Sequence, residues 1–209
     1  MSRPAKRPGL RRNHPILAAA LGAFAVACAA TPDEFTLTTI VLEEPLGEPA
    51  ELDWRAYFED VSEGAILVRL DARRLSYWSP DGQSYREFPI AIAETPDFER
   101  VGETSIVRRA AEPGWTPTPA MRLRNPELPG HVPPGPDNPM GKYALYLGWT
   151  YYAIHGTNDP ASIGRATTSG CIRMFAEHIE WLYRNAEIGT PVMVMRGDDV
   201  QLASRASQD

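Results

Sequence analysis

A proline-rich segment in the second half of the chain restricts the possible fold more than any other sequence feature. Residues 112–139 contain nine prolines and three glycines. Proline has no backbone N–H to donate to a sheet, so this segment cannot supply central strands. Long irregular segments inside compact domains are usually functional loops, and Trp115, Met121 and Leu128 give this one apolar anchors. We therefore expect an ordered flap in preference to a flexible linker.

Short strands are predicted on both sides of this segment. Apolar and polar residues alternate with the period of a half-buried strand, for example at Ile66, Val68 and Leu70. Strands this short and this closely spaced favour a β-sandwich or barrel over a sheet built from β-α-β units. The predicted strands cover residues 66–70, 75–78, 85–92, 104–108, 142–147, 150–155 and 191–195.

One helix is predicted near the end of the chain. Phe175, Ile179, Leu182 and Ala186 repeat at helical spacing, and Gly189 follows as a stop signal before the last strand. The fold class is therefore mainly β, a sandwich or barrel with a single helix.

The first 29 residues have the composition of a secretory signal peptide. Five basic residues, with no acidic one, come before an apolar run at residues 16–27. This order is typical of export, and the run is too short to span a bilayer as a mature helix. We therefore expect a periplasmic or cell-envelope protein that is cleaved within the small residues at 25–29. Cys28 also fits the first residue of a lipoprotein, so membrane anchoring through a lipid on Cys28 stays open, as does a disordered basic tail.

The rest of the chain divides into three parts by composition. Residues 30–63 are acidic and uneven, and we interpret them as a spacer or domain edge; residues 64–196 hold the predicted domain, and residues 197–209 form a polar tail. Removal of the leader leaves 16 basic residues against 27 acidic ones, a formal net charge of −11. A domain this acidic, without a basic stripe, is a poor candidate for binding nucleic acid.

Cys171 is the one cysteine left once Cys28 is cleaved off or lipidated. Exported proteins normally pair their cysteines, so a single thiol is either inert and buried or reactive. Its neighbours favour reactivity. His155 ends an apolar strand 16 residues earlier, and an imidazole within hydrogen-bond reach can take the proton of a thiol. Gly170 removes a side chain beside the thiol, where backbone N–H groups can face an oxyanion.

These residues resemble the L,D-transpeptidase catalytic domain (YkuD type, including ErfK-, YbiS-, YcfS- and YnhG-like proteins). The chain reads Ile-His-Gly-Thr-Asn at 154–158 and Ser-Gly-Cys-Ile-Arg-Met at 169–174, with the spacing of that family. The resemblance extends to residues 115–117, 138–141 and 189–192. Many relatives have Ser-His-Gly-Cys where this chain has Thr-Ser-Gly-Cys. Since Ser also occurs before the Gly, we expect activity to be retained.

The resemblance implies a β-rich fold with a helix following the catalytic Cys. It also implies a role for each matching residue. Cys171 is the nucleophile and His155 the base. The implied orienting or oxyanion-binding residues are Ser169 and Gly170, and the implied substrate-binding residues are Arg173, Gly156 and Asn138.

The implied reaction is acyl transfer on the stem peptides of peptidoglycan. Cys171 attacks the carbonyl of the bond between the third residue and D-alanine, which leaves a thioester and releases D-alanine. An amine, commonly that of diaminopimelate on a neighbouring stem, resolves the thioester as a 3-3 cross-link. The resemblance also implies that carbapenems inhibit through Cys171. We expect no cofactor and no metal, because spacings such as His-Glu-x-x-His do not occur in the sequence.

Three other functions stay open at this point. Water as acceptor gives an L,D-carboxypeptidase, and a protein lysine as acceptor gives an enzyme that anchors an envelope protein to peptidoglycan. A degenerate cell-wall binding module is the non-enzymatic alternative, and it is disfavoured because both Cys171 and His155 are present. The acceptor is selected by the shape of the site, which no motif reports.

Overall fold

The computed structural model of the protein describes residues 51–197. The predicted signal peptide (1–29) with Cys28, most of the predicted spacer (30–63) and all but the first residue of the predicted tail (197–209) lie outside these residues. Among the helices formed by residues 51–197, none is long and apolar enough to cross a membrane.

Strands predominate in this part of the chain, in agreement with the alternating pattern. The helices are α1 (Pro119–Arg124) and α2 (Ala176–Asn185), with short 3-10 turns at Trp54–Ala56, Pro96–Phe98 and Pro160–Ser162. The strands are β1 (Ala65–Arg69), β2 (Arg74–Trp78), β3 (Tyr85–Ala93), β4 (Gly102–Ala111), β5 (Tyr143–Leu147), β6 (Ala153–His155), β7 (Ala166–Thr168), β8 (Ile172–Met174) and β9 (Pro191–Met195).

Eight of these strands close into a barrel. They pair in the order β2-β1-β9-β4-β5-β6-β8-β3, and β3 also pairs with β2, which closes the ring. The length of β3 allows this closure, because residues 85–89 pair with β2 and residues 90–91 pair with β8. The short β7 adds to the end of β3. The predicted mainly β fold is confirmed, and of the two expected architectures the barrel is the one observed.

The main core joins the strands to α2. Ile179 and Leu182 of α2 are fully buried in the same hydrophobic cluster as Ile154 of β6 and Ile172 of β8. Burial of side chains of this size stabilises a fold by about 1.5–3 kcal/mol each. The predicted helix following Cys171 is therefore present, and it packs behind the two strands that carry the candidate catalytic residues.

The described part of the predicted spacer packs on the barrel. Trp54, Tyr57 and Phe58 lie in a second hydrophobic cluster around the buried Trp78 of β2. The ring centroids of Tyr57 and Phe58 are 6.4 and 6.0 Å from that of Trp78. Residues 52–61 therefore form an edge of the domain.

The proline-rich segment forms an ordered flap, residues 112–139, and supplies no strand of the barrel. Trp115 and Val132 pair across it through two backbone hydrogen bonds of 2.8 Å. At its centre, the Thr118 side chain caps α1 by accepting from the N–H of Met121 at 3.2 Å, with Pro119 at the first helical position. Apolar periodicity does not predict α1, because six residues are too few to show it.

Two strands at the site are also absent from the predicted elements. β7 and β8 have three residues each, which is too short for alternation to be recognised. β8 lies where the sequence indicates only a motif leading into the helix. Its presence matters because it aligns that motif with the strand that ends in His155.

Candidate active site

The strands that carry the candidate residues are direct neighbours in the barrel. β6 pairs in parallel with β8, and the register places Ile154 opposite Ile172 and His155 opposite Arg173. Successive side chains of a strand point to opposite faces. Because the two isoleucines are buried in the core, His155 and Arg173 share the other face. Cys171, two residues before Arg173, lies on that face as well.

His155, Cys171 and Arg173 line one cavity of about 290 Å³ beneath the flap. The flap residues Trp115 and Met121 line this cavity and also an adjoining one of about 260 Å³, which contains Cys171 too. The fold therefore brings together three side chains that the sequence separates by up to 18 positions, and it covers them with the proline-rich segment.

The imidazole of His155 is held as a neutral base. Its Nδ1 lies 2.7 Å from the carbonyl oxygen of Gly156. Since a carbonyl oxygen only accepts, Nδ1 carries the proton and Nε2 keeps its lone pair. Burial, reinforced by the positive charge of Arg173, lowers the pKa of His155 to about 4. At neutral pH the side chain is uncharged and able to accept a proton at Nε2.

The carbonyl of Gly156 contacts the candidate base. The residue is buried, and a Cβ at this position would lie 3.3 Å from the carbonyl oxygen of Met140 and from a methyl of Ile179. The substrate contact expected of Gly156 stays a prediction. Ser169 is exposed and lines the cavity. Its orienting role stays a prediction, and in this structure the Gly156 carbonyl binds Nδ1 of His155.

The Cys171 thiol is half-buried and protonated at rest. It donates a hydrogen bond of 3.5 Å to the carbonyl of Tyr151, a residue with a φ of 59°. Burial raises the pKa of the thiol, against smaller opposing effects of the Ala153 backbone and the Arg173 charge. A neutral thiol thus lies in the same cavity as a neutral imidazole. Its nucleophilicity depends on a base that removes the proton during attack.

Thr168 braces the turn that presents Cys171. Its hydroxyl donates to the Cys171 carbonyl at 2.6 Å and accepts from the Gly170 N–H at 3.3 Å. Gly170 has a φ of +130°, and a Cβ there would lie 3.0 Å from the carbonyl oxygen of Phe98, so a side chain at this position is strained and crowded. In this conformation the Gly170 N–H binds Thr168, and its donation to an oxyanion stays a prediction.

Arg173 is anchored by neutral groups only. Its Nη1 donates to the Ser162 hydroxyl at 3.0 Å, and that hydroxyl donates to the Asp159 carbonyl at 2.6 Å. Its Nε is buried and has no hydrogen-bond partner within residues 51–197, and no carboxylate of those residues forms an ion pair with it. Burial lowers the pKa of the guanidinium, yet an arginine stays charged at neutral pH.

Asn138 orders the flap. Its side chain is fully buried. The amide N–H₂ donates to the carbonyls of Pro113 and Pro133 at 2.8 and 3.0 Å, and the amide oxygen accepts from the N–H of Met140 at 2.8 Å. A substrate contact of Asn138 stays a prediction. Its hydrogen bonds join Pro113 and Pro133 of the flap to Met140, shortly before β5.

Sequence reasoning missed three residues of the site. The Thr168 hydroxyl was detectable in principle, because it belongs to the motif that contains Cys171. Ser162 and Tyr151 had no signal, because their contacts with Arg173 and Cys171 are made between segments 11 and 20 residues apart. Within residues 51–197, no group of three or more His, Cys, Asp or Glu side chains could hold a metal ion.

Comparison with known proteins identifies the family. The model of the YkuD L,D-transpeptidase catalytic domain matches residues 63–194. A Fuscovulum blasticum protein from the ATP synthase subunits region (ORF 5), which carries the name of an L,D-transpeptidase, is 39% identical over 142 residues, which are 68% of this chain and 75% of that protein. The Escherichia coli K12 protein named probable L,D-transpeptidase ErfK/SrfK is 42% identical over 144 residues.

The match with ErfK/SrfK covers 65% of this chain and 45% of that relative, so the chain spans about half of it. Among solved structures, L,D-transpeptidase 3 from Mycobacterium tuberculosis has a similar fold, with a TM-score of 0.50 at 16% identity over 64% of this chain and 61% of that one. The resemblance carried by the motifs around His155 and Cys171 is confirmed: the chain belongs to the YkuD family of L,D-transpeptidase catalytic domains, a family of enzymes.

Proposed function

We propose that this protein is an exported L,D-transpeptidase that forms peptidoglycan cross-links through an acyl-enzyme on Cys171. The observation that carries the proposal is the placement of Cys171, His155 and Arg173 on one face of β6 and β8, in a cavity beneath the flap. Membership of the family supplies the substrate class, the stem peptides of peptidoglycan.

In the first half-reaction, the sulfur of Cys171 attacks the carbonyl carbon between the third residue of a tetrapeptide stem and its D-alanine. Nε2 of His155 takes the thiol proton and then gives it to the leaving nitrogen. The C–N bond breaks, D-alanine departs and a thioester remains. The neutral state of His155 at rest supports this role, because a protonated imidazole has no lone pair to accept the proton.

In the second half-reaction, an amine of a neighbouring stem attacks the thioester carbonyl. The C–S bond breaks, and the amine proton passes through His155 to the sulfur of Cys171. Water competes for the same thioester, so a transferase must exclude it. The flap is suited to this, because Trp115 and Met121 lie over both cavities that contain Cys171.

Location in the periplasm or cell envelope belongs to the same proposal. It rests on the basic and apolar order of residues 1–29 and on the peptidoglycan substrate of the family. Intact-mass analysis of protein from the envelope distinguishes cleavage within residues 25–29 from lipidation at Cys28. Retention of Met1 on envelope protein would contradict both.

Mass spectrometry of products tests the activity. Purified protein and tetrapeptide monomer should give D-alanine and a 3-3 linked dimer, with little tripeptide. Abundant tripeptide without dimer would instead favour the carboxypeptidase. Absence of D-alanine would favour the binding module.

Carbapenems should acylate the same thiol. A strained lactam carbonyl is an electrophile like the stem carbonyl, and its opening leaves it bound to the sulfur. We expect a stable mass increase on wild-type protein, mapped to the peptide that contains Cys171. An adduct that maps to another residue would contradict the assignment of Cys171.

A further inference from the structure

A half-buried cation that forms no ion pair within residues 51–197 lies beside the candidate base. Arg173 is held through Nη1 by the Ser162 hydroxyl, and its Nε has no partner within the described residues. Asp159 acts on it electrostatically but contributes only its backbone carbonyl to the Ser162 contact. A buried charge is costly unless it is paired. Because Arg173 lines the cavity, an anionic ligand group can complete it.

In each half-reaction, a nitrogen atom of the substrate lies next to Nε2 of His155. The leaving nitrogen of the donor receives a proton from Nε2 of His155, and the attacking nitrogen of the acceptor gives a proton to it. The two nitrogens therefore occupy one position in turn. The rest of the departing molecule and the rest of the attacking molecule must then lie on the same side of the thioester.

The two molecules also share a structure at that nitrogen. D-alanine leaves as an amine whose carbon carries a free carboxylate. The acceptor amine of meso-diaminopimelate likewise lies on a D-carbon that carries a free carboxylate. In each case a carboxylate lies one carbon away from the nitrogen that exchanges its proton with His155.

We propose that Arg173 forms a single site for the α-carboxylate of D-amino acids, occupied first by the leaving D-alanine and then by the acceptor. The inference rests on the proposed acyl transfer. His155 and Arg173 are opposite each other in neighbouring strands, whose backbones lie about 5 Å apart, and both side chains line the same cavity. Ser162 is a positioning residue, because its hydroxyl fixes Nη1 of the guanidinium.

The exposed Arg124 is the other cation that lines the cavity. Its guanidinium lies over the Phe98 ring, 4.2 Å from the centroid, and it comes from the flap. It is not paired in register with His155, so it should not set the preference for a carboxylate. Arg124→Gln therefore provides a charge-matched control for Arg173→Gln.

The experiment compares two acceptors that differ only in the carboxylate. Protein acylated by tetrapeptide is offered D-methionine or D-methioninamide, and mass spectrometry measures the ratio of each transfer product to hydrolysed tripeptide. Hydrolysis is an internal standard, so the ratio does not depend on how much enzyme is acylated. We expect wild type and Arg124→Gln to favour D-methionine at least tenfold. In Arg173→Gln, transfer to D-methionine should fall to the level of transfer to D-methioninamide. Ser162→Ala should show a preference for D-methionine between those of wild type and Arg173→Gln.

The outcomes separate this inference from the proposed function. Release of D-alanine by wild type without preference for the carboxylate acceptor would overturn the inference and leave the acyl-enzyme standing. An undiminished preference in Arg173→Gln would do the same. Absence of D-alanine release from wild type would overturn both. If Arg173→Gln does not fold, Ser162→Ala decides the matter: a ratio equal to that of wild type would overturn the inference, because this variant removes the hydrogen bond that holds the guanidinium.

Discussion

His155 and Arg173 are paired directly opposite each other in the parallel ladder of β6 and β8, with both side chains turned away from the core. The pairing places a permanent positive charge beside the candidate base. That charge adds to burial in lowering the pKa of His155, so the imidazole is a neutral proton acceptor at rest. The same charge also lowers the pKa of Cys171, where it partly offsets the increase caused by burial.

The acid limb of the pH profile should report His155. Protonation removes its lone pair, so the rate of D-alanine release should fall as the pH drops through about 4, well below the usual value for histidine of ~6.5. Arg173→Gln removes the neighbouring charge and should move this limb to higher pH. The measurement is the initial rate of thioester formation from pH 3.5 to 8. A midpoint near 6.5 in wild type would contradict the buried neutral base.

Stability should depend on pH through the same residue. The pKa of His155 is lower in the folded state than in the unfolded state, so between about 4 and 6.5 the unfolded chain binds the additional proton. The free energy of unfolding should therefore fall as the pH is lowered from 6.5 towards 4, by at most roughly 3 kcal/mol. Urea denaturation of wild type and His155→Gln tests this. If the free energy of unfolding changed equally with pH in the two proteins, His155 would be excluded as the source of the pH dependence.

Thr168→Val should slow acylation even though both Cys171 and His155 are retained. Valine keeps the shape of threonine but loses both hydrogen bonds that brace the turn from Gly170 to Cys171. We expect a loss of about tenfold, equivalent to ~1.4 kcal/mol in the barrier. Thr168→Ser retains the hydroxyl and should restore most of the rate. Equally active Val and Ser variants would show that the hydroxyl does not position the thiol.

Met121→Ala should open the thioester to water. Met121 lines both cavities that contain Cys171, whereas Leu123, on the same short helix, is 84% exposed. The ratio of tripeptide to cross-linked dimer should rise several-fold in Met121→Ala and stay at the wild-type value in Leu123→Ala. Products from tetrapeptide monomer provide the measurement. Unchanged ratios in both variants would make the flap a connector without a role in excluding water.

Asn138→Ala should destabilise the domain. The change leaves the carbonyls of Pro113 and Pro133 and the N–H of Met140 without their partner in a buried position. The expected loss is about 3 kcal/mol in the free energy of unfolding. Asn138→Asp keeps the acceptor for Met140 but places a buried carboxylate oxygen against the carbonyls of Pro113 and Pro133, so it should lose at least as much. Urea midpoints rank the three proteins, and an Ala variant as stable as wild type would contradict the ordering role.

The sequence was most informative where the signal is local. Alternating strands, the helix after Cys171 and the motifs around His155 and Cys171 are all contained in short windows, and the resemblance led directly to the family. α1 also had a local signal, since Thr118 followed by Pro119 is a helix start, but six residues show no apolar stripe.

The remaining features depend on contacts between distant segments. Closure of the barrel requires β3 to pair with β2 and with β8 at different residues, which no local pattern reports. The burial of Asn138 and the anchoring of Arg173 by Ser162 arise from loops that meet only in the folded chain. The same holds for Gly156, whose backbone carbonyl acts on His155, since a carbonyl is present at every position and carries no sequence signal.

Intact-mass analysis of the acyl-enzyme tests the central claim most directly. Wild-type protein is mixed with tetrapeptide stem, quenched in acid within seconds and compared with Cys171→Ala and Cys171→Ser prepared in the same way. The account predicts a wild-type mass increase equal to the stem minus D-alanine, mapped by fragmentation to Cys171, and no such increase in Cys171→Ala despite an unchanged fold. Release of D-alanine by Cys171→Ala at the wild-type rate, or an acyl group on any other residue, would contradict it.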